Sequence, residues 1–181
     1  NAAECAGVAG ICLIGFLLAI LEGLAGQSGR LFRDGDFARQ PALAVLAGAG
    51  RKRRDPRGAE LASFWRSSAR AEAASVPAFL RMASELRLAG APGHLAAAAM
   101  RAARDEQRHT LLCFEQDARW SGDLVWTLPF GAEPRWAGAE SDAISILARE
   151  AWLDGCLGEA IAAEVAADSA SRTYDPASAS M

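Results

Sequence analysis

The chain has 181 residues and a formal net charge of −3. Its length allows one domain with a substantial hydrophobic core. Its charge excludes a global electrostatic attraction to nucleic acid, so we predict no nucleic-acid partner. The four cysteines form no Cys-x-x-Cys pair, which excludes a zinc ribbon and a thioredoxin-type motif.

An apolar segment, residues 1–25, begins the sequence. The run AGVAGICLIGFLLAIL at 6–21 carries no charge and ends before Glu22. It is a little short for a membrane span, and it lacks the basic residues that precede the apolar part of a signal peptide. Two alternatives stay open: a targeting or membrane-anchoring segment, or an N-terminal helix packed on protein. The compartment, cytoplasmic or membrane and cell-envelope associated, stays open with them.

Residues 26–58 are predicted to form an irregular linker, because glycines and charged residues interrupt any periodic pattern there. The basic run RKRR at 51–54 is interpreted as a solvated part of this linker, with contact to an anion or to a membrane surface as the alternative. Composition then favours helices over sheet: alanine and leucine dominate, tyrosine occurs once, and β-branched residues are sparse. We therefore predict an all-α fold.

Three long helical patterns follow, at about 59–89, 92–120 and 141–170. Pro77 is expected to kink the first helix without breaking it, because the apolar register continues across the proline. The connector at 121–141 is long for a link within a bundle and is expected to pack along its side. Residues 171–181 are predicted to be a loose polar tail.

Each helical pattern carries one glutamate in an otherwise apolar seam, which is the row of residues at steps of three and four that faces a bundle core. The first helix places Glu72 in its seam, the second places Glu106 and His109, and the third places Glu159. The complete seams are Trp65, Ala69, Glu72, Val76, Phe79, Ala83 and Leu86; Leu95, Ala99, Ala102, Glu106, His109 and Cys113; and Ala148, Trp152, Cys156, Glu159, Ala163 and Ala166.

The first two seams bring their polar residues to one height. Glu72 lies 17 residues before Ala89, and His109 lies 17 residues after Pro92, so an antiparallel hairpin places both at the same level. At about 1.5 Å per residue, Glu106 falls roughly 4.5 Å from that level. Buried carboxylates that share one layer repel each other, and a bound dication removes that penalty. Carboxylate and imidazole donors suit iron or manganese better than thiolate-binding metals, and zinc is not excluded.

Structural alternatives exist for each residue. Glu72 could pair with Arg101 or Arg108 in a partly exposed groove. His109 could be an interior histidine that donates to a carbonyl, since a lone Glu-x-x-His motif occurs easily by chance in a helix-rich protein.

The stretches EAASVPAFLRMASELRLAGAP, AARDEQRHTLLC and GCLGEAIAA together resemble the ferritin-like di-iron carboxylate superfamily, and in particular bacterial ferritin-like domain proteins related to rubrerythrin. The resemblance covers roughly residues 59–170. It implies a four-helix bundle with an up-down arrangement and a di-iron centre. It also implies Glu72 as a terminal ligand, Glu106 as a bridging ligand, His109 as a terminal ligand and Glu159 as a bridging or terminal ligand.

The sequence departs from this family pattern after Glu159, where no second Glu-x-x-His follows. The other histidine, His94, belongs to a helix start and comes too early to replace it. We therefore expect an incomplete bundle, truncated before its fourth helix, with three core helices, an N-terminal apolar helix and half of the ligand set.

Three functions stay open from the sequence. The first is a metal-binding protein with iron (Fe2+/Fe3+) or manganese as cofactor, either a di-iron oxidoreductase or an iron-handling protein, with a homodimer as one alternative. The second is a non-catalytic helical bundle. The third is a membrane-associated scaffold built around residues 6–21. No nucleotide-binding loop or nucleophile elbow occurs, so the sequence assigns no catalytic residue.

Overall fold

The computed structural model describes residues 32–34, 37–48, 56–128, 135, 141–158, 160–161, 163–164 and 167–168. These residues are mostly helical, which confirms the predicted helical class. The predicted N-terminal apolar helix, the tail at 171–181 and Glu159 lie outside the described residues. Among the helices that are described, none combines the length and the apolar character that a membrane crossing requires.

Two long helices form the centre of the described structure. Helix α1 spans Gly58–Leu88 and helix α2 spans Gly93–Ser121, and both agree with the predicted ranges to within one residue. The turn between them contains Gly90 with a φ of 68°, a left-handed conformation that glycine adopts without strain. Because this turn is short, the helices run antiparallel and pack along their length.

Alanine dominates the contact between α1 and α2. Small side chains let the two helix backbones approach closely, and the interaxial distance depends on the side chains at the contact. The buried alanines of this region include Ala62, Ala69, Ala73 and Ala83 on α1, and Ala96, Ala99 and Ala103 on α2. Helix α1 continues through Pro77, as predicted.

A small apolar cluster supports α1 near its proline. The buried ring of Phe32 packs with Ala74 and Ala78. The guanidinium carbon of Arg81 lies 4.1 Å from the centre of the Phe32 ring, within the range of a cation–π contact. The segment that precedes α1 in sequence therefore packs against it.

Short strands occur where the sequence analysis predicted irregular chain. Strands β1 (Arg33–Asp34) and β2 (Phe37–Ala38) pair antiparallel, and strand β3 (Leu43–Leu46) pairs antiparallel with β4 (Leu124–Thr127). The prediction missed them because four residues are too few for a period of two to stand out. The β3–β4 pair joins the predicted linker to the chain that follows α2.

The third helical region begins with helix α3 (Ser141–Glu150) and continues as a π-helical segment, Ala151–Gly158. The seam predicted for this region is wrong, because Ala148, Trp152 and Cys156 are exposed while Ala143 and Leu147 are buried. A π-helical turn contains more residues than an α-helical turn, so a seam drawn at steps of three and four loses its register there.

Candidate metal centre

Three of the four predicted site residues come together. Glu72 lies near the middle of α1, and Glu106 and His109 lie one turn apart on the facing side of α2. His109 Nδ1 is 3.7 Å from Glu72 Oε2 and 3.9 Å from Glu106 Oε2. One ligand atom from each residue can be chosen so that all three lie within 4.8 Å of one another. The predicted juxtaposition is therefore confirmed for these three side chains.

The distances suit an ion placed between the side chains better than direct contacts. Separations of 3.7 and 3.9 Å exceed the length of an N–H···O hydrogen bond, about 2.7–3.2 Å. One donor atom from each of the three residues lies within 4.8 Å of the other two, so a dication, which binds oxygen and nitrogen at about 2.0–2.6 Å, can approach all three.

Burial divides the site into a closed side and an open side. The side chains of Glu72 and Glu106 are 12% and 9% exposed to solvent, whereas the His109 side chain is 54% exposed. Two carboxylates removed from water repel each other unless a positive charge is supplied. The site therefore offers two buried negative groups, with an imidazole between them and solvent.

Cys113 reports the electrostatics of this region. It is buried one turn after His109. Burial, as the largest cause, and the negative charges of Glu72 and Glu106 together raise the pKa of its thiol to about 12. The thiol therefore stays protonated at neutral pH in the absence of an ion.

Small side chains surround the cluster on both helices. Ala69 lies one turn before Glu72 and is fully buried, and Ala103 lies one turn before Glu106 and is also buried. Chemically, the arrangement can hold a hard cation by two carboxylates and one imidazole.

Comparisons with protein-family models, with curated proteins and with solved structures find no match to this chain.

Neither structural alternative for these residues is seen among the described contacts. The ion-pair contact described for Glu72 is with His109 and not with Arg101 or Arg108, and Arg108 forms an exposed ion pair with Asp105 at 3.7 Å, one turn away on its own helix. His109 is half exposed, so it is not an interior histidine. Glu159, the fourth predicted ligand, lies outside the described residues.

The sequence analysis missed a network around Arg66. Its Nε and Nη2 donate to the two carboxylate oxygens of Asp117 at 2.7 and 3.0 Å, and its Nη2 also donates to Asp123 at 3.1 Å. These hydrogen bonds raise the pKa of Arg66, with Asp117 as the largest cause. Asp117 is fully buried. Asp123 also accepts a hydrogen bond from the backbone N–H of Gly48, which lies just after β3. The counting that aligned Glu72 with His109 also brings Arg66, 23 residues before Ala89, to within two residues of the level of Asp117, 25 residues after Pro92.

A second network surrounds Arg135. Its guanidinium donates to both oxygens of Glu85, near the end of α1, and to both oxygens of Glu150, at the end of α3. Glu85 is 1% exposed, and these bonds raise the pKa of Arg135, with Glu85 as the largest cause. No sequence signal could have found this network, because Arg135 lies in a connector without periodic structure.

Proposed function

We propose that this protein binds a dication through Glu72, Glu106 and His109. The observation that carries the proposal is the convergence of two buried carboxylates and one imidazole from facing helices, at distances that fit an ion. A bound cation would add positive charge beside the two buried carboxylates.

Iron is the metal that we propose first, and manganese second. Both accept mixed carboxylate and imidazole donors, whereas a site selective for copper(I) or structural zinc commonly includes thiolates. The group that comes together among the described residues consists of two carboxylates and one imidazole. The donor set is therefore a hard one.

A ferritin-like role is the finer form of the proposal. A glutamate on one helix and Glu-x-x-His on the next helix, at one height of an antiparallel pair, is the ligand arrangement of one half of a ferritin-like di-iron centre. Bound iron would supply redox and Lewis-acid chemistry there. The two carboxylates would hold and orient the ion, and His109 would complete its binding on the open side. The corresponding activity is that of an oxidoreductase or an iron-handling protein.

Metal binding is tested by anaerobic titration of the 181-residue chain with Fe(II), and separately with Mn(II), followed by elemental analysis of the desalted protein. Glu72→Gln preserves the shape of the side chain and removes its charge. Glu115→Gln is the matched control, because Glu115 is exposed on α2. We expect binding to the wild type and to the control, with at least tenfold weaker binding to Glu72→Gln. Equal binding to all three proteins would overturn the proposal.

A helical scaffold is the second candidate. His109 Nδ1 lies 3.7 and 3.9 Å from oxygens of the two carboxylates, so these three side chains can contact one another across the hairpin without metal. In that case the protein would be a non-catalytic bundle, attached to a membrane if residues 6–21 insert into one. Unfolding in chelator and in metal separates the two functions, because only a metal protein gains stability from the ion.

A further inference from the structure

A groove lies at the end of the hairpin opposite the turn, where α1 begins and α2 ends. Its volume is about 330 Å³. The lining combines apolar and polar side chains and is formed by Ala59, Ala62, Ser63, Arg66, Trp120, Ser121 and Asp123. Small-molecule sites in proteins have volumes of about 300–1,000 Å³ and combine apolar walls with a few polar groups. The groove therefore has room for one small molecule.

Arg66 presents a fixed hydrogen-bond donor to this groove. Asp117 accepts bonds from its Nε and Nη2, and Asp123 accepts a second bond from Nη2. These bonds hold the guanidinium in one orientation and use the N–H groups of Nε and Nη2. Nη1 makes no hydrogen bond with any residue that the structure describes, and the side chain is 30% exposed. Its two N–H groups are therefore available to a ligand.

Arg70 brings a second positive charge close to the groove. It lies one turn after Arg66 on α1, and helix side chains lean toward the preceding turn. Its Nε is buried and has no hydrogen-bond partner among the residues that the structure describes. Native proteins rarely leave a buried donor without an acceptor. Because Asp117 and Asp123 already balance the charge of Arg66, this second guanidinium is the group that lets the groove accept a negative charge.

We propose that the groove binds the carboxylate of a small organic acid, whose apolar body lies against Ala59, Ala62 and Trp120. Nη1 of Arg66 donates to one carboxylate oxygen, and the Arg70 guanidinium turns toward the other. Arginine binds the planar carboxylate group through paired charge-assisted hydrogen bonds. A monoanion fits better than a phosphate dianion, because Arg70 adds only one positive charge.

Two further observations bear on this site. Ser63 is exposed at the groove, and its hydroxyl makes no hydrogen bond in the described part of the chain, so it is a third donor for the carboxylate. Arg70 also lies about 160° around α1 from Glu72, on nearly the opposite side of the helix. The groove is therefore a separate site, and its ligand does not depend on the metal.

The test uses benzoate as the probe and keeps EDTA in every solution, so that no carboxylate binds through an ion at the metal centre. Isothermal titration calorimetry of the 181-residue chain measures the dissociation constant. Benzamide has the same ring without the charge, and inorganic phosphate has the charge without the ring. We expect one benzoate per chain, bound at least tenfold more tightly than benzamide or phosphate.

Two substitutions on α1 locate the binding, and each has a matched control. Arg70→Gln removes the charge and Ser63→Ala removes the hydroxyl, and both new residues are good helix formers. The controls are Arg101→Gln, at an exposed position of α2, and Ser68→Ala, about 140° around α1 from Ser63. We expect benzoate to bind at least tenfold more weakly to Arg70→Gln and about two- to tenfold more weakly to Ser63→Ala, with no change in the controls.

Four results would overturn the inference. Equal binding of benzoate and benzamide means that no positive group recognises the carboxylate, and tighter binding of phosphate assigns the groove to another class of ligand. Benzoate binding that Arg70→Gln and Ser63→Ala leave unchanged means that the site lies elsewhere. The absence of saturable benzoate binding means that there is no such site. Because the measurements are made in EDTA, each result leaves the metal-binding function to its own titration.

Discussion

Replacement of Glu106 by leucine should change stability in opposite directions with and without metal. Glu106 is 7% exposed, and its carboxylate lies near that of Glu72. In chelator, Glu106→Leu replaces a buried charge by an apolar group of similar volume, which we expect to raise the free energy of unfolding by about 1–3 kcal/mol. In metal at about 1,000 times the dissociation constant, the wild type gains about 4 kcal/mol and the variant gains nothing.

The two proteins should therefore exchange rank. For a chain of this size, 1 kcal/mol corresponds to roughly 2–4 °C in melting temperature, so metal should raise that of the wild type by about 8–16 °C. Thermal unfolding followed by circular dichroism, in EDTA and in Mn(II), measures both effects. The exposed Glu115 gives a matched control, since Glu115→Leu should shift stability by less than about 0.5 kcal/mol and keep the full response to metal.

Two results would contradict the reasoning. If Glu106→Leu gains as much stability from metal as the wild type, the carboxylate is not a ligand. If the variant is less stable than the wild type in EDTA, the buried carboxylate is already compensated within the protein, and no ion is needed to explain it.

Three further changes test other parts of the structure. Replacing His109 by alanine should weaken Mn(II) binding 10- to 100-fold in calorimetry and change stability in EDTA by less than about 1 kcal/mol, because the side chain is half exposed. Arg135→Met should lower the free energy of unfolding by about 3 kcal/mol in urea titrations, because Glu85 then stays buried without the guanidinium of Arg135. The double variant Arg135→Met/Glu85→Leu should recover most of that loss. If it recovers none, the broken ion pair is not the cause of the loss. Cys113 should resist iodoacetamide at pH 8 in peptide mass mapping while the exposed Cys156 is labelled. Folding raises the pKa of the Cys113 thiol from 9.0 to about 12. The stability that the protonated thiol contributes is therefore present below pH 9 and is lost as the pH rises through 12. Over that pH range the free energy of unfolding should fall less in Cys113→Ala than in the wild type.

The helical hairpin and the convergence of its polar residues could be predicted from sequence because both depend on one regular element. Seventeen residues on each side of a short turn fix the relative height of Glu72 and His109 with no knowledge of other contacts. The apolar seam continues across Pro77 without a change of register, and this pattern predicts that α1 is one unbroken helix, as the structure has it. A proline considered alone would predict a break there.

The predictions that were wrong concern segments in which the regular helical repeat is lost or in which no repeat is long enough to recognise. The π-helical segment after Glu150 changes the number of residues per turn, so Trp152 and Cys156 were placed in a core and are in fact exposed. Strands β3 and β4 are joined by pairing between segments about 80 residues apart, and a local pattern of four residues carries little information about such a partner.

The Arg66–Asp117 pair has a consequence for the energetics of ion capture. At one end of the hairpin the turn at 89–92 prevents α1 from sliding along α2, and at the other end this bidentate contact does the same. A slip of one helical turn would move Glu72 about 5.4 Å from His109. With both ends fixed, the donor atoms are preorganised before any ion arrives, so little conformational entropy is lost on capture.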